Sequence, residues 1–196
     1  MTSVDVTVRG AGIFGLSVAW ACVRRGARVR VIDPHGPGAG SSGGIVGALA
    51  PHVPENWNTK KAFQLESLLM AEDWWAAVAD AGGLSPGYAR AGRLQPIADD
   101  PGLALARARA DGARALWQGR AEWAVISLAQ AGGFVPVSAS GWVIHDTLTA
   151  RLHPARACAA LVAALRASGV EIGEAAGDAG AVVHATGWQG LMALSD

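Results

Sequence analysis

Apolar and polar residues alternate at the start of the chain. Val4-Asp5-Val6-Thr7-Val8-Arg9 is a short β-rich run that ends at a glycine turn. Residues 13–25 are then small and apolar, compatible with a helix that stops at Gly26, a natural C-cap. Residues 27–32 (ARVRVI) alternate again and read as a second strand. Strand, glycine turn, helix and strand in this short compass predict a βαβ unit, hence a parallel pair.

The pattern then loosens. Residues 34–44 form a Gly/Ser/Pro loop, followed by the apolar run 45–50, and residues 60–81 predict a helix carrying Leu65, Leu68, Leu69, Trp74 and Trp75. From Gly82 the character changes. Residues 88–97 read as strand and turn, 101–118 as an alanine-arginine helix, and 125–128 and 142–145 as strands. Residues 154–168 predict a helix with Pro154 in its first turn and Gly169 after its end. Val170-Glu171-Ile172 starts a strand, and Ala181-Val182-Val183-His184-Ala185 is another that runs into Thr186-Gly187. There is no internal repeat. The expected architecture is α/β: a Rossmann-like dinucleotide-binding domain with a parallel sheet, discontinuous over residues 1–83 and 146–196. Residues 84–145 are expected to be part of a smaller antiparallel α+β domain, inserted as a substrate or cap domain.

Composition narrows the class. A chain of 196 residues buries roughly 70% of its unfolded surface and needs no disulfide or metal staple. With 51% hydrophobic residues, disorder is excluded. Sixteen Lys+Arg balance sixteen Asp+Glu, which argues against a nucleic-acid footprint or a polybasic membrane patch. The 26 glycines fit turns and close helix packing. Cys22 and Cys158 lack CxxC spacing and flanking His ligands, so both read as small core residues in a reducing, cytoplasmic compartment. Residues 11–23 have the apolarity of a signal-peptide core, but the leader before them carries Asp5 and a single Arg, and the run holds two of three spaced glycines. No stretch reaches the roughly 20 apolar residues needed to span a bilayer.

Gly10-Ala11-Gly12-Ile13-Phe14-Gly15 is GxGxxG, placed between a strand and the helix it opens. Gly10 permits the tight turn, Gly12 lets backbone approach a pyrophosphate, and Gly15 lets helix and strand pack closely. Helix N-terminal amides and the helix dipole, around Ile13 and Phe14, suit a diphosphate. Asp33, at the end of the second strand, can accept hydrogen bonds from an adenosine ribose. The motif therefore predicts a dinucleotide, and the following loop bears on which one.

That loop reads Gly40-Ser41-Ser42-Gly43-Gly44-Ile45-Val46-Gly47-Ala48-Leu49-Ala50-Pro51-His52. Here the sequence resembles the glycine oxidase / D-amino-acid oxidase family of FAD-dependent amine oxidoreductases, in which a similar G-x-S-S…G-x-L-A-P segment follows the second strand. The resemblance implies FAD as cofactor, with Ser41 and Ser42 beside the pyrophosphate or ribityl chain and Ala48 and Leu49 presenting backbone to the isoalloxazine. Val182-Val183-His184-Ala185-Thr186-Gly187-Trp188 is similar to the family's VVxATG strand, which implies that Thr186 and Gly187 return to the cofactor. The implied reaction oxidises the C–N bond of a small amine or amino acid by hydride transfer to flavin N5. A NAD-dependent dehydrogenase, with Asp33 selecting NAD over NADP, is the alternative enzyme. A truncated, non-catalytic FAD-binding subunit is the alternative of another class.

Three departures from the family pattern stand out. Arg9 occupies a normally apolar strand position, and is expected to reach solvent rather than the phosphates. Only residues 173–180 separate the last two strands, where the family inserts more. The chain stops soon after Trp188-Gln189-Gly190, so the family's C-terminal half, with its carboxylate-binding Arg and site Tyr, is expected to be absent or supplied by a second subunit.

The remaining candidates carry less. His52 and Glu55 read as loop residues, and His35, His145, His153 and His184 lack metal-site spacing, so no metal is expected. Asp99-Asp100 before Pro101 marks a helix N-terminus. Arg107, Arg109, Arg114 and Arg120 form no single stripe and read as a solvated face. Most of the eight Trp are expected in cores, with Trp188 the one placed to reach a cofactor. No residue stands out as catalytic.

Overall fold

The computed structural model describes residues 3–194. In chain order its elements are β1 (Val6–Arg9), α1 (Ile13–Val23), β2 (Val29–Ile32), β3 (Gly47–Leu49), α2 (Thr59–Gly82), β4 (Arg93–Pro96), α3 (Asp100–Trp117), β5 (Trp123–Ser127), β6 (Trp142–Asp146), β7 (Ala150–Leu152), α4 (Pro154–Ala167), β8 (Glu171–Gly173), β9 (Ala181–His184) and α5 (Gly187–Met192). The chain divides into two compact units. One takes residues up to 47, 73–88 and those from 152 onward; the other takes 48–72 and 89–151. These cuts fall elsewhere than the sequence boundaries at 83/84 and 145/146. The first half of α2 gives Leu65 and Leu68 to the core of the second unit.

In the first unit a four-stranded sheet has the order β8-β2-β1-β9, and every pairing is parallel. The expected βαβ unit forms from β1, α1 and β2. Helices α1 and α4 pack on each other. Leu16, Ala19 and Trp20 of α1, and Ala157, Leu161, Ala164 and Leu165 of α4, are buried, as are Val8, Val29 and Val31 of the strands. Each fully buried Leu contributes roughly 2 kcal/mol. The end of α2 reaches α4 so closely that a Cβ on Gly82 would lie 2.6 Å from the Ala164 amide nitrogen.

The other face of this sheet is mainly polar, with Ile32 and Val182 interspersed. Thr7 and Arg9 alternate with Val6 and Val8, and Thr7 is in register with Arg30. Parallel sheets are usually apolar on both faces because helices cover them. Here the eight residues from Gly173 to Gly180 expected as a short link run as a strap along that polar face. The Gly177 carbonyl accepts from Arg30 Nη1 at 3.5 Å, Asp178 accepts from Arg9 Nε at 2.8 Å, and Ala179 bonds Thr7 Oγ1 through both backbone groups. Arg9, expected to end in solvent, is thus paired with Asp178 and does not turn toward the glycines.

The second unit holds the antiparallel sheet β4-β6-β5 with α3 against it. Asp99 caps α3, its carboxylate accepting from the Gly102 amide at 2.8 Å, as Asp99-Asp100-Pro101 predicted. Ala106, Ala110, Ala113 and Trp117 form its buried stripe. Trp117 meets Trp123 edge-on at 6.1 Å, which draws β5 forward to start at Trp123, ahead of the expected 125. A capping box between Ser127 and Gln130 then turns Leu128 out of the strand. The short β7 and α5 were not expected. Buried Asp146 is satisfied by the Leu148 and Thr149 amides and by Arg93.

The arginines of α3 are not simply a solvated face. Arg109 binds Glu55 through two nitrogens at 2.9 and 2.6 Å, Arg114 pairs with Asp111, and Arg107 lies 5.3 Å over Trp142. Arg120, just beyond the helix, pairs with Glu66. Arg109 holds the Glu55 carboxyl below the usual carboxylate range, by hydrogen bonding first.

Candidate cofactor-binding turn

The turn begins where β1 ends. Gly10 has φ +107°, and a Cβ on it would sit 2.2 Å from the Ala185 carbonyl oxygen. Only glycine fits that backbone and that close approach. The Gly10 amide donates to Ile32 and the Ala185 amide to Arg9, so β2 and β9 hold the turn from either side. Gly15 packs under it in turn: a Cβ there would fall 1.8 Å from the Gly10 carbonyl oxygen. These two glycines serve packing. Gly12 differs. Apart from its own two chain neighbours, the only described atoms within 4 Å of its would-be Cβ belong to the Ser42 side chain, with Oγ at 3.2 Å.

Gly12 is the N-cap of α1, in extended backbone, without a side-chain cap of its own. A helix leaves its first N–H groups without intrahelical partners. One of them, the Ile13 amide, donates to Ser42 Oγ at 3.0 Å. Ala11, just before the helix, donates to Asp33 Oδ2 at 2.7 Å, while Asp33 Oδ1 accepts from the His35 amide at 2.9 Å. Asp33 therefore braces the turn, and each of its oxygens keeps a second lone pair for another donor.

The loop after β2 is fastened at several points. Gly38 donates to the Ala11 carbonyl at 2.9 Å, Ser41–Gly43 forms a 3₁₀ turn, and the Gly44 carbonyl accepts from Ala155 of α4 at 3.0 Å. Beneath it the Cys158 thiol donates to the Ser42 carbonyl at 3.7 Å. Burial pushes the Cys158 thiol pKa up, which keeps it a proton donor. Cys158 is buried as expected, whereas Cys22 is only half-buried.

The structure thus gathers Gly10, Gly12, Ile13, Gly15, Asp33 and Ser42 about one turn, with Ser41 next in the loop. Phe14 is 80% exposed on the first turn of α1. Thr186 follows Ala185 directly, and its side chain lies so close to Gly190 that a Cβ there would meet it. Gly187, with φ +71°, opens α5, and Trp188 is 75% exposed. Ala48 and Leu49 belong to the second unit, where Leu49 packs against the core. His52 and Glu55 also fall there: the His52 amide donates to Gln64, and Glu55 is the partner of Arg109. The roles of Ala185 and Cys158 were missed; a small residue closing a predicted strand was the one signal for the first. Among the described residues no helix is long and apolar enough to cross a membrane.

The chain is 41% identical over 73 residues to a putative thiamine biosynthesis oxidoreductase of Rhizobium etli, covering 37% of this chain and 22% of that protein. It is 40% identical over 73 residues to a tRNA 5-methylaminomethyl-2-thiouridine biosynthesis bifunctional protein of Chromohalobacter salexigens, covering 37% and 10%. Its fold is similar to glycine oxidase from Geobacillus kaustophilus, with TM-score 0.73 and 18% identity over 93% of this chain and 55% of that one. L-amino acid deaminase from Proteus vulgaris superposes with TM-score 0.67 and 20% identity, over 89% and 40%. The matched parts cover about half the length of these solved proteins and under a quarter of the two sequence relatives. The DAO family of FAD dependent oxidoreductases matches from residue 5 to residue 190, both units included, and the chain belongs to that family.

Proposed function

We propose that the glycine turn holds the pyrophosphate of FAD, and that the chain serves to oxidise the C–N bond of a small amine or amino acid. One observation carries the reading: the face of Gly12 is bare of everything but a movable hydroxyl, at the amide end of α1. A dinucleotide fits there, because helix N-terminal amides and dipole favour a phosphate and the missing Cβ leaves it room. In this reading Gly10, Gly12 and Gly15 shape a Rossmann-like turn, Ile13 and Phe14 offer amides, and Asp33 takes the adenosine ribose with its spare lone pairs. Ser41 and Ser42 flank the pyrophosphate or ribityl chain. Ala48 and Leu49 present backbone to the isoalloxazine, and Thr186 and Gly187 return the chain to the cofactor.

When bound, FAD supplies at N5 the acceptor for hydride from the carbon bearing the amine. The residues of this chain bind and orient. None is assigned as catalytic acid, base or substrate clamp; a second subunit or further polypeptide supplies those groups in this reading. The superposed proteins, an oxidase of glycine and a deaminase of L-amino acids, support an amine substrate. Free Cys22 and Cys158 are in keeping with a reducing, cytoplasmic setting.

The test is the spectrum of the purified protein and the identity of what can be extracted from it. Bound, extractable FAD is expected. Asp33→Ala should retain it at least about tenfold more weakly, equivalent to about 1.4 kcal/mol. Colourless protein that takes up NAD in place of FAD overturns the reading.

A further inference from the structure

We infer that Cys158 of α4 is a positioning residue for the cofactor, a buried side chain that sets how closely the serine loop stands to the glycine turn. The inference rests on the reading of this turn as the FAD site and adds to it a group from another element. The loop is tied to the turn at two places. The Gly38 amide donates to the Ala11 carbonyl at 2.9 Å, and Ser42 Oγ accepts from the Ile13 amide at 3.0 Å. Cys158 lies behind both ties. Its thiol donates to the Ser42 carbonyl at 3.7 Å, and a Cβ built on Gly38 would lie 3.5 Å from Cys158 Cβ and 3.7 Å from its Sγ.

Beside the thiol the underside of the loop is open. A cavity of about 470 Å³ is bounded there by Pro37, Gly38 and Gly43 of the loop and by Ala159 and Val162 of α4. Helix α4 also meets the loop where the Ala155 amide donates to the Gly44 carbonyl, but that bond joins backbone to backbone, beyond the two ties. Between residues 38 and 42 the spacing of loop and helix is thus set by the size of side chain 158. A shorter side chain leaves the loop unsupported above the cavity. A branched one presses on Gly38 and Ser42. Either change shifts the loop against Ala11 and Ile13, and a binding site must hold its groups to within about 0.5 Å. Cys158 itself touches no ligand in this reading; it acts through Gly38 and Ser42.

The experiment separates placement from stability. Cys158→Ala and Cys158→Val are each expected to weaken FAD binding about fivefold or more in a titration followed by flavin fluorescence, the scale of one lost hydrogen bond. Leu161→Ala, which empties a fully buried position on the same helix, should lower the melting temperature by more than either, yet leave FAD affinity near wild type. Hydrogen exchange at the Gly38 amide should be faster in Cys158→Ala than in wild type and unchanged in Leu161→Ala. Unchanged affinity in both Cys158 variants, an equal loss of affinity in Leu161→Ala, or unchanged exchange at Gly38 overturns the inference. If Cys158→Val does not fold, Cys158→Ser, which keeps a donor of similar size, must bind FAD more tightly than Cys158→Ala. Wild type that takes up no FAD, with Gly38 exchange still accelerated in Cys158→Ala, overturns the reading of the turn and leaves the placement of the loop by Cys158 standing.

Discussion

Thr7 and Ala179 exchange two hydrogen bonds: the Thr7 hydroxyl donates to the Ala179 carbonyl at 2.7 Å and accepts from its amide at 3.1 Å. Thr7 is wholly buried at this junction, although it stands on the polar face of the sheet. A side chain therefore does for the strap what a neighbouring strand would otherwise do, satisfying both of its backbone groups.

The first prediction follows from that exchange. Thr7→Val keeps the shape but leaves the Ala179 N–H and C=O without partners, and should cost about 1–3 kcal/mol in urea unfolding. Arg9→Met, which breaks the half-exposed pair with Asp178, should cost under about 1 kcal/mol. Equal losses would mean that the strap is not held through Thr7.

The glycines of the turn separate stability from binding. Gly10→Ala places a Cβ against the Ala185 carbonyl at positive φ, and should lower stability by more than about 2 kcal/mol or abolish soluble expression. Gly12→Ala meets only the movable Ser42 side chain, so its melting temperature should stay near wild type. Its FAD retention should nevertheless fall about tenfold or more, the effect of pushing a phosphate off one charge-assisted hydrogen bond. A Gly12→Ala protein with full flavin content would remove the pyrophosphate from this face.

Acid stability should depend on the pair at the start of the sheet. The Arg28 side chain, then its backbone amide, hold the Asp5 carboxyl down at about 2 against an ordinary 3.8. A depressed carboxylate stabilises the fold above its unfolded pKa, and the contribution is lost as pH falls from about 4 toward 2. Unfolding midpoints of wild type and Asp5→Asn should therefore differ at pH 5 and converge near pH 2. A constant offset across that window would contradict the pairing.

The tryptophans should divide sharply. Trp117 is fully buried against Trp123, and Trp117→Ala should cost about 3–5 kcal/mol with loss of near-ultraviolet dichroism. Trp188→Ala, at an exposed position, should stay within about 0.5 kcal/mol of wild type by chemical denaturation.

What could be read from the sequence was what lies within a few residues along the chain. GxGxxG between a strand and a helix is local, and so are the Asp99 cap and the glycine after the helix that starts at Pro154. The polar alternation of Val6-Thr7-Val8-Arg9 was equally visible, but its cause was not, because Asp178 and Ala179 arrive far later in the chain. Arg9 stood out as a departure for that reason. Ser42 was marked by resemblance alone; its bond to Ile13 depends on how a long glycine loop folds back, which no periodicity encodes. Arg109 and Arg120 looked unpartnered because Glu55 and Glu66 come from segments that sequence spacing does not bring near.

The floor of the glycine turn is Ala185, so the turn is finished by a residue made long after its own. At cellular synthesis rates residue 185 follows residue 10 by on the order of ten to thirty seconds. Throughout that interval β1 lacks its β9 neighbour and the nascent chain shows an unpaired strand edge. The whole fingerprint has left the ribosome by then, yet it has nothing to rest on. Completion of the glycine turn is thereby delayed until β9 has emerged and docked, however early the glycines themselves were made.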